Sequence, residues 1–263
     1  MTGRVTGPRV LVCAGLDPSG GAGLLADLEA LAAAGARGWA VATAFTAQGA
    51  QGARAMEPAT PRMLVAQIDA LLDEMTDGLM GVARERPLAV KTGVLGSGAN
   101  AAALSARLRE RPLGRVSLVV DPVLFASSGL SLLDAGAIPA RAALDALLSR
   151  AALATPNWPE LEALAGRALG SEEEAVRAAR ELPSRAVLVK GGHREGEPID
   201  LLVRGRTVVR IRGRRRPGSA RGTGCRLASA IAAFLARGLT LEESVRRAKR
   251  IVERYLDAAA RGG

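Results

Sequence analysis

Apolar residues recur along this chain in short unbroken runs separated by longer amphipathic stretches, and that alternation predicts its elements. Residues 9–14 (RVLVCA) form such a run, between Pro8 and a glycine-rich stretch over 15–23, the pattern of a strand buried on both faces. A helix is predicted over 24–35, closing near Gly35, followed by a strand at about 39–46 and a helix over 61–77. Further strands over 87–92, 116–120, 151–154 and 186–190 alternate with helices over 99–110, 137–148 and 171–182. Short strands near 199–203 and 207–211 read as a hairpin around Gly205, and helices over 224–237 and 241–260 close the chain.

Strands and helices in alternation call for a mostly parallel sheet with helices on both faces, so the expected fold class is α/β, built as one domain over residues 1–263. Ligands in such folds sit beyond the carboxyl ends of the strands. Four segments with suitable chemistry fall there: 15–23, 91–96, 121–129 and 190–193. The chain shows neither an internal repeat nor a long linker.

Composition narrows the function classes. The chain is 48% hydrophobic and 2% aromatic, so its core must come from Leu, Val, Ile and Ala. No apolar run reaches the roughly 18 residues of a membrane-spanning helix, and no membrane partner is expected. The first apolar stretch reads as a strand, not a signal peptide, and Cys13 and Cys225 form no disulfide or metal pattern; a cytoplasmic location is expected. The single histidine, His193, excludes a multi-histidine metal centre. The net charge of +10 comes mainly from arginines spread along helices. Their densest run, Arg210, Arg212, Arg214, Arg215 and Arg216, contains no aromatic residue on which a base would stack, so no nucleic-acid partner is expected. A solvated charged face, or one that attracts anionic nucleotides, fits better.

The sharpest chemical signal is GTGC, Gly222-Thr223-Gly224-Cys225, leading into the apolar helix LASAIAAFLA. Glycines permit a tight turn and a close approach to a ligand, and the first N–H groups of the helix suit a phosphate or another developing negative charge. At the positive end of that helix Cys225 is expected to have a lowered thiol pKa and to serve as a general base. The other reading is a turn and cap with a small buried cysteine. In AGLDPSGGAG, over 14–23, Asp17, Ser19 and the backbone N–H groups suit a polar ligand, and Asp27, about one turn into the next helix, is placed to accept hydrogen bonds from one; an ordinary turn with an exposed Asp is the alternative. Asp121 ends a strand, and Asn157 and Glu160 follow another in TPNWPE; together they suit a hydrated Mg²⁺ and nucleotide phosphates, or else Asn157 and Glu160 merely cap a helix. The chain uses only three lysines, and two of these, Lys91 and Lys190, end apolar strands, either as point charges for phosphate or as solvated strand ends.

Taken together, AGLDPSGGAGLLADLEAL, TAFTAQGAQG, VKTGVLG, DPVLFASSGLSLL, TPNWPELEAL, VLVKGGH and GTGCRLASAIAA resemble, in order and over about residues 9–255, the hydroxymethylpyrimidine/phosphomethylpyrimidine kinases. The resemblance implies a ribokinase-like, three-layer α/β/α fold with a central, mainly parallel sheet, usually a homodimer. It implies ATP and Mg²⁺ as cofactors, and γ-phosphoryl transfer to the alcohol of 4-amino-5-hydroxymethyl-2-methylpyrimidine, then to its monophosphate, in thiamine biosynthesis. By similarity Asp27 and Gln48 hold the pyrimidine with Gly15 and Val94 near it. Cys225 takes the catalytic-base position, and Gly222, Thr223 and Gly224 form the anion hole. Asp121 and Glu160 act near the metal, and Asn157 and Lys190 near the nucleotide phosphates.

The chain departs from the family pattern at several points. Arg221 stands where a His is usual, Arg226 where a Thr follows the cysteine, and Leu25 where a Gln precedes the substrate Asp. Two guanidinium groups beside the anion hole are expected to contact phosphate or favour a more anionic substrate, which places Arg226 among the nucleotide-binding candidates. A pyridoxal-like hydroxymethyl heterocycle is the alternative substrate, and a non-catalytic pyrimidine-phosphate sensor the alternative class.

Overall fold

The computed structural model describes residues 7–49, 51–76, 89–125, 133–134, 140–192, 197–215 and 220–262. His193, Arg216, residues 126–132 of the DPVLFASSGLSLL stretch, and the predicted element ends at 77, 87–88 and 137–139 lie outside the described residues.

Strand β1 (Arg9–Leu16) runs into helix α1 (Gly23–Ala33), an Ala/Leu-rich segment of high helix propensity that closes before Gly35, held at φ 68°. Strand β2 (Arg37–Gly49) then turns back as β3 (Gly52–Pro58), and helix α2 (Pro61–Thr76) follows. Next come β4 (Ala89–Thr92), the short β5 (Gly96–Ser97), α3 (Gly98–Arg107), β6 (Ser117–Val120), the short β7 (Leu133–Asp134), α4 (Ala140–Leu148) and β8 (Leu153–Ala154). The remaining elements are α5 (Trp158–Ala165), α6 (Glu172–Glu181), β9 (Val187–Val189), β10 (Ile199–Arg204), β11 (Thr207–Arg212), α7 (Thr223–Ala236) and α8 (Leu241–Gly262).

Nine strands form one sheet in the order β11-β10-β9-β8-β6-β4-β1-β2-β3, while β5 and β7 pair separately. From β9 to β2 every pairing is parallel; β10 and β3 join antiparallel at the two ends. Alternation along β1 divides the core. Leu11 and Cys13 face the layer of α2 to α6, while Val10, Val12 and Ala14 face α1, α7 and α8. The fold is thus three-layer α/β/α around a mainly parallel sheet, as expected.

The order of strands matters for function. From β1 the chain places β2 on one side and then β4, β6, β8 and β9 in turn on the other. The β1/β4 boundary is therefore a topological switch point, where the loops diverge and leave a crevice beyond the carboxyl ends. Helix α7 lies across β1, β4 and β6 and brings its N-terminus to that crevice.

The short strands β5 and β7, strand β3 and helix α5 were not predicted from sequence. Strand β3 is an edge strand with no buried residue, its side chains half-buried or exposed, so GARAMEP carries no apolar run. Helix α5 is short, but it carries a full capping box: Asn157 Oδ1 accepts from Glu160 N at 2.8 Å, and Glu160 Oε2 accepts from Asn157 N at 2.7 Å.

Candidate active site

Four strand ends and one helix start meet at the crevice. Lys91 ends β4, Asp121 follows β6, Thr155 and Asn157 follow β8, and Lys190 follows β9, bridged in parallel to Asn157. Over them stands the first turn of α7. Its N-cap, Gly222, has φ 72°, and no side chain caps the helix, leaving the first N–H groups, those of Thr223, Gly224 and Cys225, without intrahelical acceptors. A Cβ at Gly222 would lie 2.2 Å from the Gly21 carbonyl oxygen, and one at Gly224 would lie 3.0 Å from Lys190 Nζ. Both glycines let backbone come close, to the β1–α1 loop in one case and to an ammonium group in the other.

Lys190, Asp121 and Glu160 form one polar cluster. Lys190 Nζ donates to Asp121 Oδ1 at 2.8 Å and lies 3.6 Å from Glu160 Oε2, and Thr155 Oγ1 donates to the same Asp121 oxygen at 2.9 Å. Burial works against the Asp121 carboxylate, but the Lys190 and Lys91 ammonium groups and these hydrogen bonds outweigh it and hold its pKa below the ordinary carboxylate range. Burial dominates at Glu160 and pushes its pKa up, against the attraction of Lys190. Lys190, despite its own burial, is held protonated by Asp121 and Glu160.

The second oxygen of Asp121, Oδ2, is buried and has no hydrogen-bond partner. A buried carboxylate oxygen left open in this way fits a metal ligand or a metal-bound water. Among the described residues no group of three or more His, Cys, Asp or Glu side chains is placed to encage a metal ion. A pair of carboxylates beside a lysine instead suits Mg²⁺, which keeps several waters and shares its coordination with phosphate oxygens.

Lys91 has a different task. It is fully buried, and its ammonium donates to both oxygens of Asp27, at 2.9 and 2.8 Å. Ser229 Oγ of α7 donates to Asp27 Oδ1 at 2.8 Å. Asp27 is 0% exposed, and its carboxylate is engaged by Lys91 and Ser229 inside the protein. The spacing correctly put it one turn into α1, on the face that packs against β4 and α7. Burial opposes the charge on Lys91, yet the Asp27 carboxylate keeps that lysine firmly protonated.

Cys225 also departs from expectation. Burial pushes its thiol up to about 11; the Lys91 charge and a hydrogen bond from the Gly23 backbone lower it, but Asp27 and Asp121 add to the rise. The helix terminus does not overcome the loss of solvation. Nearby, Gly15 and Val94 are brought together: a Cβ on Gly15 would sit 3.4 Å from Val94 Cβ. Gln48 stands on β2, opposite Ala53 of β3, and is partly exposed.

Arg226 is engaged away from the Lys190–Asp121–Glu160 cluster. Its Nη2 pairs with Glu29 at 2.6 Å, its Nη1 donates to the Gly21 carbonyl at 3.0 Å, and its guanidinium stacks 3.9 Å from the Tyr255 ring centroid. With its donors so committed, it ties α7 to α1 and α8. Asp17 is likewise buried, accepting from Ser19 N at 3.0 Å, Ser19 Oγ at 2.7 Å and Ala22 N at 2.9 Å, which shapes the β1–α1 loop. Thr155 and Ser229, which carry no motif of their own, were not legible from sequence.

Comparison with known proteins agrees with this fold. A model of the phosphomethylpyrimidine kinase family matches residues 17–263. The hydroxymethylpyrimidine/phosphomethylpyrimidine kinase of Rhizobium meliloti is 39% identical over 95% of this chain and 91% of its own. The thiamine biosynthesis bifunctional protein ThiED of Geobacter sulfurreducens is 38% identical over 96% of this chain, which spans only about half (49%) of that relative's length. Among solved structures, the pyridoxal kinase of Staphylococcus aureus in complex with AMP-PCP superposes with a TM-score of 0.79 at 27% identity, covering 94% of this chain and 87% of that one.

Proposed function

Because the chain belongs to the phosphomethylpyrimidine kinase family, we propose that it transfers the γ-phosphoryl group of MgATP to the alcohol of 4-amino-5-hydroxymethyl-2-methylpyrimidine, and then phosphorylates the monophosphate to the diphosphate, in thiamine biosynthesis. The observation that carries this reading is the meeting of an uncapped, glycine-rich helix start ending in Cys225 with the Lys190–Asp121–Glu160 cluster. An alcohol kinase needs an anion-binding turn, a proton acceptor and a place for nucleotide phosphates and metal, and here one crevice holds all three.

In this reading the alcohol lies between Gly15, Val94 and Gln48 on one side and Cys225 on the other. Cys225 accepts the hydroxyl proton as the oxygen attacks in line. The N–H groups of Thr223, Gly224 and Cys225 and the ammonium of Lys190 face the negative charge of the transferring group. Asp121 and Glu160 would hold Mg²⁺, through Asp121 Oδ2 and intervening waters. That ion neutralises phosphate charge when bound. Asn157 keeps Glu160 in place through the capping box and stands beside Lys190 at the phosphate end. The buried Lys91–Asp27 pair lies at the floor of the crevice.

Turnover of hydroxymethylpyrimidine and of its monophosphate with MgATP, with products resolved by mass, tests the assignment. Both phosphorylated products are expected. Formation of the monophosphate alone would confine the enzyme to alcohol phosphorylation. Absence of both products, together with phosphorylation of pyridoxal, would replace the substrate assignment.

A further inference from the structure

Arg221 immediately precedes the anion-hole turn, and its guanidinium reaches away from it to two other parts of the site. Nη2 pairs with Asp17 Oδ2 at 2.7 Å, and Nη1 donates to Ser19 Oγ at 3.1 Å, both in the β1–α1 loop. The same Nη1 donates to the Gly49 carbonyl at 2.7 Å, at the far end of β2. Gly49 pairs with Gly52 across the β2–β3 hairpin and is the residue after Gln48. The backbone of Arg221 is fixed from the other side: its carbonyl accepts from Tyr255 Oη at 3.2 Å and from Arg226 Nη1 at 3.4 Å.

We propose that Arg221 is a positioning residue that latches the β2–β3 hairpin, and with it Gln48, to the turn that forms the anion hole. The hairpin end projects past the parallel part of the sheet: β3 pairs with β2 alone, and a register shift between Ala47 and Gln48 interrupts the ladder just before the latch point. A strand end held by one neighbour is weakly fixed by its own backbone bonds, so a charged donor on its last carbonyl has a large share in placing it. Asp17 is 2% exposed and holds the guanidinium in one orientation, so the fork bonds a carboxylate and a carbonyl at once. A lysine there, with a single point charge, would keep the Asp17 pair or the Gly49 contact but not the full fork. The departure from the family pattern at position 221 thereby acquires a role distinct from phosphate binding: it sets the distance between the wall that holds the ring and the turn that holds the phosphoryl group.

The latch itself does not depend on the proposed reaction, whereas its kinetic consequence rests on it, so two readouts are needed. Hydrogen exchange of the wild-type protein and of Arg221→Lys, without substrate, reads the latch. Faster exchange is expected over 45–49 and 52–56, with α1 and α8 unchanged; unchanged hairpin exchange overturns the proposal. Steady-state kinetics then read the consequence. In Arg221→Lys the KM for the pyrimidine alcohol is expected to rise about tenfold, the loss of one charge-assisted hydrogen bond, while the KM for ATP stays within about twofold. An equal rise in both, or a change confined to the KM for ATP, would make Arg221 a phosphate ligand and overturn the proposal. Gly49 offers only its carbonyl, so Asp17→Asn is the second variant should Arg221→Lys fold poorly: it weakens the orienting pair and is expected to loosen the same hairpin. Loosening without any wild-type turnover of the pyrimidine would leave the latch standing and refute the functional assignment instead.

Discussion

Cys225 and Lys91 show how environment, and not residue type alone, decides what a side chain does. A cysteine at a helix start reads from sequence as an activated thiolate, yet burial beside Asp27 and Asp121 pushes its thiol up to about 11. Near neutral pH the thiol is therefore mostly protonated, and the fraction able to accept the alcohol proton grows about tenfold per pH unit below that value. The pH profile of kcat/KM is expected to climb still between pH 8 and about 9.5, where a depressed thiol would give a plateau. The fully buried Lys91–Asp27 pair makes a sharp stability prediction. Lys91→Met leaves the Asp27 carboxylate buried without its cation and is expected to destabilise the fold by about 3–5 kcal/mol in urea unfolding, whereas Lys91→Met with Asp27→Leu recovers much of that loss. At this scale the order of strands and turns made legible that Asp121, Asn157, Glu160 and Lys190 come together. The Lys91 contact of Asp27 was not legible, because a position one turn into a helix does not say which face that turn presents, nor were the contacts of Arg226, because Glu29 and the Tyr255 ring are remote in sequence.

The α7 start is the element on which the site depends, and its two glycines serve for different reasons. Gly222 needs a positive φ and faces the Gly21 carbonyl, so Gly222→Ala is expected to lower both stability and kcat, with the melting temperature dropping by several degrees. Gly224 carries no such backbone demand; its added Cβ would press on the flexible end of Lys190. Gly224→Ala should melt near wild type, with its loss read in the KM for ATP and in kcat. Equal melting losses in the two variants would contradict the distinction drawn here. Most elements were legible because buried parallel strands are continuous apolar runs and because glycines end them. Strand β3 was not, since an edge strand keeps its polar side chains in solvent, and α5 was missed although its N-cap and Glu160 spell out a capping box.

Across the whole molecule the charge is +10, but the crevice is not simply cationic. Lys190 stands there with Asp121 and Glu160, above the buried Lys91–Asp27 pair, and much of the remaining positive charge lies on outer faces, in pairs such as Glu242–Arg246 and Glu243–Arg247 along α8. Nucleotide binding should therefore need a divalent cation to offset Asp121 and Glu160: removing Mg²⁺ with a chelator is expected to abolish turnover and weaken ATP binding on the order of tenfold, measured by calorimetry. Among the described residues no helix is long and apolar enough to cross a membrane. The architecture was the most legible level of all, since the succession of elements dictates a doubly covered parallel sheet, and that sheet dictates where its crevice lies.

In the proposed reaction the α7 start and Cys225 carry phosphoryl transfer to an alcohol. Single-turnover transfer from MgATP to hydroxymethylpyrimidine in Cys225→Ala, with ATP affinity measured alongside, is the decisive measurement. A rate lower by about 10²–10⁴-fold is expected, with ATP binding retained. A rate within a few-fold of wild type would contradict it and place the proton acceptor elsewhere.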